Sequence, residues 1–243
     1  MQPRFLDLAL VALAACVGVI EITQIPRLKR LLARGSTTAR SRFYVVIIAA
    51  EWLFTGVVAA IWIANGRPWN ALFLASPSWR IGIGFALVPV VIAIYVQNQR
   101  MLRAASPQRI ERLHARMAPL EFLIPHTTQE HRLFRLLSVT AGICEEFLYR
   151  GFIMWVLAYY AGVPAAVVLQ AAIFALGHLY QGSDPRSTAQ TLLKTGTAGL
   201  ILGTIAIASA SLIPGMIVHA LMDLSSGDVA FALVSRFRST AAV

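Results

Sequence analysis

Residues 43–64 read FYVVIIAAEWLFTGVVAAIWIA, an apolar run broken by a single charge, Glu51. At 1.5 Å per residue a helix of that length covers about 33 Å, enough to cross the hydrocarbon core of a bilayer. Comparable stretches recur at residues 5–22, 81–96, 137–160, 164–180, 192–210 and 212–234. The chain is therefore expected to be all-α, a polytopic transmembrane helix bundle of about seven spans, with the third and fifth marginal in length.

Composition leads to the same place. Of 243 residues 58% are hydrophobic and only 13% charged, with a mean hydropathy of +0.69. Soluble domains carry roughly 25% charged residues, so an ordinary globule, a disordered chain and a disulfide scaffold are all poor readings. Cys16 and Cys144 are isolated and imply neither a disulfide framework nor a metal knuckle.

Lys and Arg outnumber Asp and Glu 21 to 11, a balance that in a soluble protein would suggest nucleic acid. Here the basic residues alternate between loops. Arg27, Lys29, Arg30, Arg34, Arg40 and Arg42 follow the first stretch, and Arg100, Arg103, Arg109, Arg112, Arg116, Arg132 and Arg135 follow the third. These two loops hold 13 of the 21 basic residues, so the positive-inside rule puts the N-terminus outside and the C-terminus in the cytoplasm. Topology accounts for the charge, and nucleic-acid binding is not expected.

The polar segment 97–135 is divided by Pro107, Pro119 and Pro125. Ile110, Leu113 and Met117 recur at helical spacing among Arg109, Arg112 and Arg116, as expected of a helix lying on an anionic membrane face. Thr127 or Thr128, with Glu130 in the first turn, is suited to cap a further helix leading into the fourth span.

An ionisable side chain in a span costs about 2.5 to 3.5 kcal/mol on insertion scales, which makes it a functional candidate. The fourth span carries Glu145, Glu146 and Arg150, the fifth His178, and the seventh His219 and Asp223. Glu146 and Arg150, four apart, share a face and can pair, whereas Glu145 is rotated about 100° away and can act as a general base. The bland alternative is one buried charge network that only fixes packing. His178 follows Phe174 by one turn, and His219 precedes Asp223 by one turn, a spacing that suits an oriented histidine or two metal ligands. Glu51 and Lys194 stand apart, unassigned.

The runs Cys144-Glu145-Glu146-Phe147-Leu148-Tyr149-Arg150, Phe174-x-x-x-His178 and His219-x-x-x-Asp223 resemble, in order, the three motifs of the CPBP intramembrane proteases. That family includes the type II CAAX prenyl endopeptidases and the bacterial Abi proteins. The resemblance implies an intramembrane endopeptidase whose attacking water is held and activated by Glu145 and His178. It implies supporting positions at Glu146, Arg150 and Phe174, and oxyanion stabilisation or a metal site at His219 and Asp223. Some members have Asn in place of Asp223; here Asp223 orients His219, is protonated, or helps hold a metal. Zinc is a candidate cofactor, with Glu145, His178, His219 and Asp223 as its candidate ligands, though no His-Glu-x-x-His signature is present.

On this reading residues 1–100 supply three spans and a basic cytoplasmic loop, 101–136 a cytoplasmic amphipathic segment, 137–234 the catalytic core, and 235–243 a cytoplasmic tail. The partners implied are the lipid bilayer, of the plasma membrane, and a membrane protein or lipidated substrate. Two other classes stay open on the residues alone: a proton-relay transporter, since such side chains line proton paths, and a non-catalytic immunity or scaffold protein. Gly199 and Gly203 form a small-x-x-x-small face that would serve helix association in a scaffold, or packing inside the bundle.

Overall fold

The computed structural model describes residues 2–16, 37–74, 79–117, 120–182 and 184–241. Residues 17–22 of the first apolar stretch, with Arg27, Lys29, Arg30, Arg34 and Pro119, lie outside them. The described residues contain no β-strand. The helices are α1 (Phe5–Cys16), α2 (Thr37–Ala64), α3 (Ile81–Phe85), α4 (Val88–Arg103), α5 (Pro107–Met117), α6 (Thr128–Glu145), α7 (Met154–Ala161), α8 (Val163–Leu176), α9 (Pro185–Ser209) and α10 (Ile213–Ala241). A π-helix, Glu146–Ile153, joins α6 to α7 without a break.

The chain is an all-α transmembrane bundle. Among the described residues four helical stretches are long and apolar enough to cross a membrane: Thr38–Ala64, Ile81–Arg103, Pro185–Ser209 and Ile213–Ser239. That is fewer than the seven spans expected. Among the described residues α1 and α8 are shorter, and the local chemistry of α8 explains why. Gly162, at φ 77°, turns the chain out of α7, Pro164 sits in the first turn of α8, and the helix ends at Gly177. The stretch 164–180 is thus only partly helical, and His178 lies in the turn beyond α8 rather than on it.

The fourth stretch begins earlier than its apolar pattern. Thr127 accepts from the Glu130 amide while the Glu130 carboxylate accepts from the amides of His126 and Thr127, a complete capping box. Arg40 of α2 donates to both oxygens of that carboxylate at 3.2 Å, and Tyr44 donates to the Leu123 carbonyl at 2.6 Å. These contacts fix the start of α6 against α2.

The apolar stripe of α5 is not turned to a membrane. Ile110 is buried with Leu102, Ala105 and Leu233, and Leu113, Met117 and Phe237 pack around them. The end of α10 claims that stripe, because it offers a matching apolar face while Arg109, Arg112 and Arg116 keep the other side of α5 in solvent. Arg236 donates to the carbonyls of Leu102 and Ala105, and Arg238 to that of His126.

Elsewhere small residues set the spacing. A Cβ at Gly142 of α6 would meet Ala220 Cβ at 2.8 Å, so α6 and α10 cross in near backbone contact. At Gly203 it would meet Gln170 Nε2 at 2.6 Å, and at Gly199 the Ala171 Cα at 3.0 Å. Gln170 donates to the Gly199 carbonyl at 2.9 Å. The Gly199/Gly203 face is therefore consumed inside the bundle by α8, which removes its support for an association surface. At one end of the bundle Asp7 and Arg67 form a buried bidentate pair at 2.8 and 2.6 Å, with the guanidinium against the rings of Trp62 and Trp155.

Candidate active site

The three motifs converge where α6 passes into the π-helix. A π-helix closes i→i+5 bonds and so widens the helix by about one residue per turn, a device that recurs at functional sites. Here it holds Glu146 and Arg150, both fully buried and paired at 3.1 Å. Gly215 of α10 leaves room for that carboxylate: a Cβ there would stand 3.1 Å from Glu146 Oε2. The pairing expected from the four-residue spacing is present, in a helix of a different kind.

Glu146 also takes the His219 ring. His219 Nδ1 lies 2.9 Å from Glu146 Oε1, the oxygen that Arg150 approaches. Since an ionised carboxylate only accepts, Nδ1 carries the hydrogen and Nε2 is turned the other way. There it faces Glu145 Oε2 at 3.6 Å and Asp223 Oδ2 at 3.7 Å. The carboxylate that orients His219 is thus Glu146 and not Asp223. The reason is geometric: Asp223 is one turn along the same helix and reaches only the far side of the ring.

His178 is fixed by the end of the helix that precedes it. Its Nδ1 lies 2.8 Å from the Phe174 carbonyl, which can only accept, so Nε2 is left with a lone pair in the neutral ring. Phe174 stands between the two histidines, its ring centre 4.6 Å from that of His178 and 6.0 Å from that of His219. The Arg150 guanidinium lies over the Phe174 ring at 4.1 Å. Asp223 senses the charges of His219, Glu145, His178 and Glu146, which places all five groups in one electrostatic neighbourhood. The sequence-predicted residues are therefore brought together. Lys194 is not among them and is exposed on α9.

Solvent access is graded across the cluster. The Asp223 side chain is 42% exposed, Glu145 18% and His219 9%, while Glu146 and Arg150 are sealed. Open groups beside the sealed Glu146–Arg150 ion pair suit chemistry on a substrate entering from the Asp223 side. Among the described residues no three His, Cys, Asp or Glu side chains are gathered so that they could hold a metal ion. The donor set as placed does not fit a zinc ion.

One acidic residue of this neighbourhood was not predicted from sequence. Glu51 of α2 interacts electrostatically with Glu145, His219 and Asp223. A signal was present: Tyr44, Thr55, Val58 and Trp62 are buried along one face of α2, and Glu51 falls on that face by spacing.

Residues 129–225 match the family described as type II CAAX prenyl endopeptidase Rce1-like, a stretch that contains every motif residue from Glu145 to Asp223. The match agrees with the relationship that the motifs implied and suggests a CAAX-type intramembrane endopeptidase. Comparison with curated proteins and with solved structures returns no match.

Proposed function

We propose that the protein hydrolyses a peptide bond of a lipidated, CAAX-type protein at the membrane, with Glu145 as general base. The observation that carries this reading is the convergence of Glu145 and Asp223 on His219 Nε2, at 3.6 and 3.7 Å, inside the segment that matches the Rce1-like family. Glu145 takes a proton from water, whose oxygen bonds to the scissile carbonyl carbon as the carbonyl electron pair moves onto its oxygen. His178 steadies the water through the Nε2 lone pair. His219, held through Nδ1 by Glu146 and carrying a second hydrogen on Nε2 as the imidazolium, donates that hydrogen to the oxyanion, with the Asp223 carboxyl beside it. Collapse of the intermediate breaks the C–N bond, and the proton on Glu145 passes to the leaving nitrogen. The products are a carboxylic acid and an amine, and Glu145 is restored.

Phe174 and Arg150 hold the two histidines and Glu146 in register. The alternation of basic loops supports an orientation with the N-terminus outside and the C-terminus in the cytoplasm of the plasma membrane. The test is cleavage of a quenched-fluorescent, farnesylated peptide ending in Cys-aliphatic-aliphatic-X by the protein in proteoliposomes. Replacing Glu145→Gln keeps shape and removes basicity, so kcat is expected to fall by about 10²- to 10⁴-fold. Undiminished cleavage by that variant would overturn the reading, and equal cleavage of the unprenylated peptide would remove the lipid from it.

A further inference from the structure

The stretch Thr38–Ala64 covers about 40 Å at 1.5 Å per residue, so its two ends stand at opposite headgroup layers. One end carries Arg40, tied to Glu130 at the start of α6. Just past the other end, Asn65 and Arg67 line an open cleft of about 410 Å³ together with Gln2, Pro3 and Arg4, the residues that lead into α1. The cleft therefore lies at headgroup depth, at the end of the bundle away from the basic segment 100–135.

Among the described residues this end carries three arginines, Arg4, Arg67 and Arg80. Basic residues are depleted on one side of a membrane protein, so each that stays there needs a reason. Arg67 is held by Asp7, and Arg80 donates to the Ala208 and Ile207 carbonyls at the end of α9. Arg4 differs. Its backbone amide donates to Asp7 at 2.6 Å, but its guanidinium makes no hydrogen bond or salt bridge among the described residues and acts on Asp7 only through space. Both Asp7 oxygens already accept from Arg67, so the five N–H groups of Arg4 are left for a ligand.

The rest of the cleft offers amides. Asn65 gives one hydrogen to the Ile61 carbonyl at 2.7 Å and keeps its oxygen and its other hydrogen, and Gln2 is exposed. Beside this polar lining stand Phe5, 87% exposed, and Ile63, 63% exposed, apolar side chains whose neighbours at this depth are acyl chains.

We propose that this cleft binds the headgroup of an anionic phospholipid, with its phosphate on Arg4, its hydroxyls on Asn65 and Gln2, and its acyl chains along Phe5 and Ile63. A guanidinium meets two phosphate oxygens through parallel N–H···O bonds. The Asp7–Arg67 pair is neutral as a unit, so Arg4 supplies the net charge of the cleft. A choline headgroup would bring a second cation against that charge, which favours a lipid that is negative overall. Free phosphate would use the same guanidinium; the exposed apolar flank is what favours the lipid.

The experiment follows thermal unfolding of the full chain in detergent with added dioleoyl phosphatidylglycerol, dioleoyl phosphatidylcholine or inorganic phosphate, and counts retained lipids by native mass spectrometry. Phosphatidylglycerol is expected to raise the melting temperature and phosphatidylcholine to leave it unchanged. Arg4→Gln is expected to melt as the unsubstituted protein does without lipid, because its guanidinium holds nothing in the fold. With phosphatidylglycerol it is expected to bind about tenfold or more weakly and to retain one lipid fewer. Arg4→Lys keeps the charge without the fork and is expected to fall between the two. Equal phosphatidylglycerol affinity and count in Arg4→Gln overturn the site. So does a lower melting temperature of that variant without lipid, which would give Arg4 a partner inside the protein. Stabilisation by inorganic phosphate that matches the lipid's at equal concentration overturns the lipid and puts a free anion in its place.

Discussion

His219 Nδ1 and Arg150 Nη1 approach the same oxygen of Glu146, at 2.9 and 3.1 Å. One carboxylate thus serves as the counter-ion of a sealed guanidinium and as the hinge that aims a histidine.

Removing Glu146 is therefore expected to cost both stability and function. Glu146→Ala leaves Arg150 buried without its counter-ion, a loss of about 3 to 5 kcal/mol, and frees the His219 ring to turn. Thermal unfolding in detergent checks the first effect and peptide cleavage the second. Unchanged melting would show that Arg150 finds another partner.

Gly142 is where α6 and α10 touch most closely. A Cβ there would meet the Ala220 nitrogen at 2.8 Å and the Met216 oxygen at 2.9 Å, backbone atoms that cannot swing aside. Gly142→Ala is expected to push the two helices apart, costing about 1 to 3 kcal/mol by overpacking. It is also expected to lower kcat at least about tenfold by separating Glu145 from His219. Gly56→Ala, where nothing lies within 4 Å, is the control and should leave both unchanged.

His126, in the turn before α6, predicts a pH dependence outside the catalytic cluster. Arg238 Nη2 donates to its Nδ1 at 3.0 Å, and its Nε2 lies 3.0 Å from Glu121 Oε1, an arrangement for the neutral ring. Burial first, then Arg40, holds its pKa below the ordinary 6.5, with Glu121 and Glu130 opposing and Arg238 assisting. As pH falls through 6.5 the unfolded chain binds the proton before the folded one does, so stability declines below that pH and not above it. The protection factors of the amides at residues 120–127, corrected for the intrinsic slowing of exchange with falling pH, should decrease between about pH 7 and pH 5, and His126→Gln should flatten the change.

Chelation tests the donor geometry. With no three side chains gathered for a metal among the described residues, proteolysis is expected to survive dialysis against EDTA and 1,10-phenanthroline. Loss of activity that zinc restores would mean that the cluster closes further than it does here.

Much of this was legible in the sequence, because it depends on spacing along one helix. The Glu146–Arg150 pair, the Thr127 capping box and the turn relation of Phe174 to His178 are local, and each is present. Contacts between helices were not legible. Glu51 reads as isolated because its neighbours are some ninety residues or more away in sequence, and the orienter of His219 reads as Asp223 because only Asp223 is close in sequence. The π-helix follows from no residue preference in its run. The count of about seven spans is not confirmed, and α8 falls short of a span because Gly177 ends the helix while the apolar residues continue past it.

The close crossing at Gly142 and Ala220 joins α6 to the last described helix of the chain, so it forms late in synthesis. α10 carries His219 and Asp223 and leaves the ribosome after every other described helix, including those that hold Glu51, Glu145 and His178. Until it inserts, Glu146 and Arg150 lack their third member and no histidine faces Glu145 Oε2. On the proposed mechanism the chemistry therefore starts only when the bundle is complete.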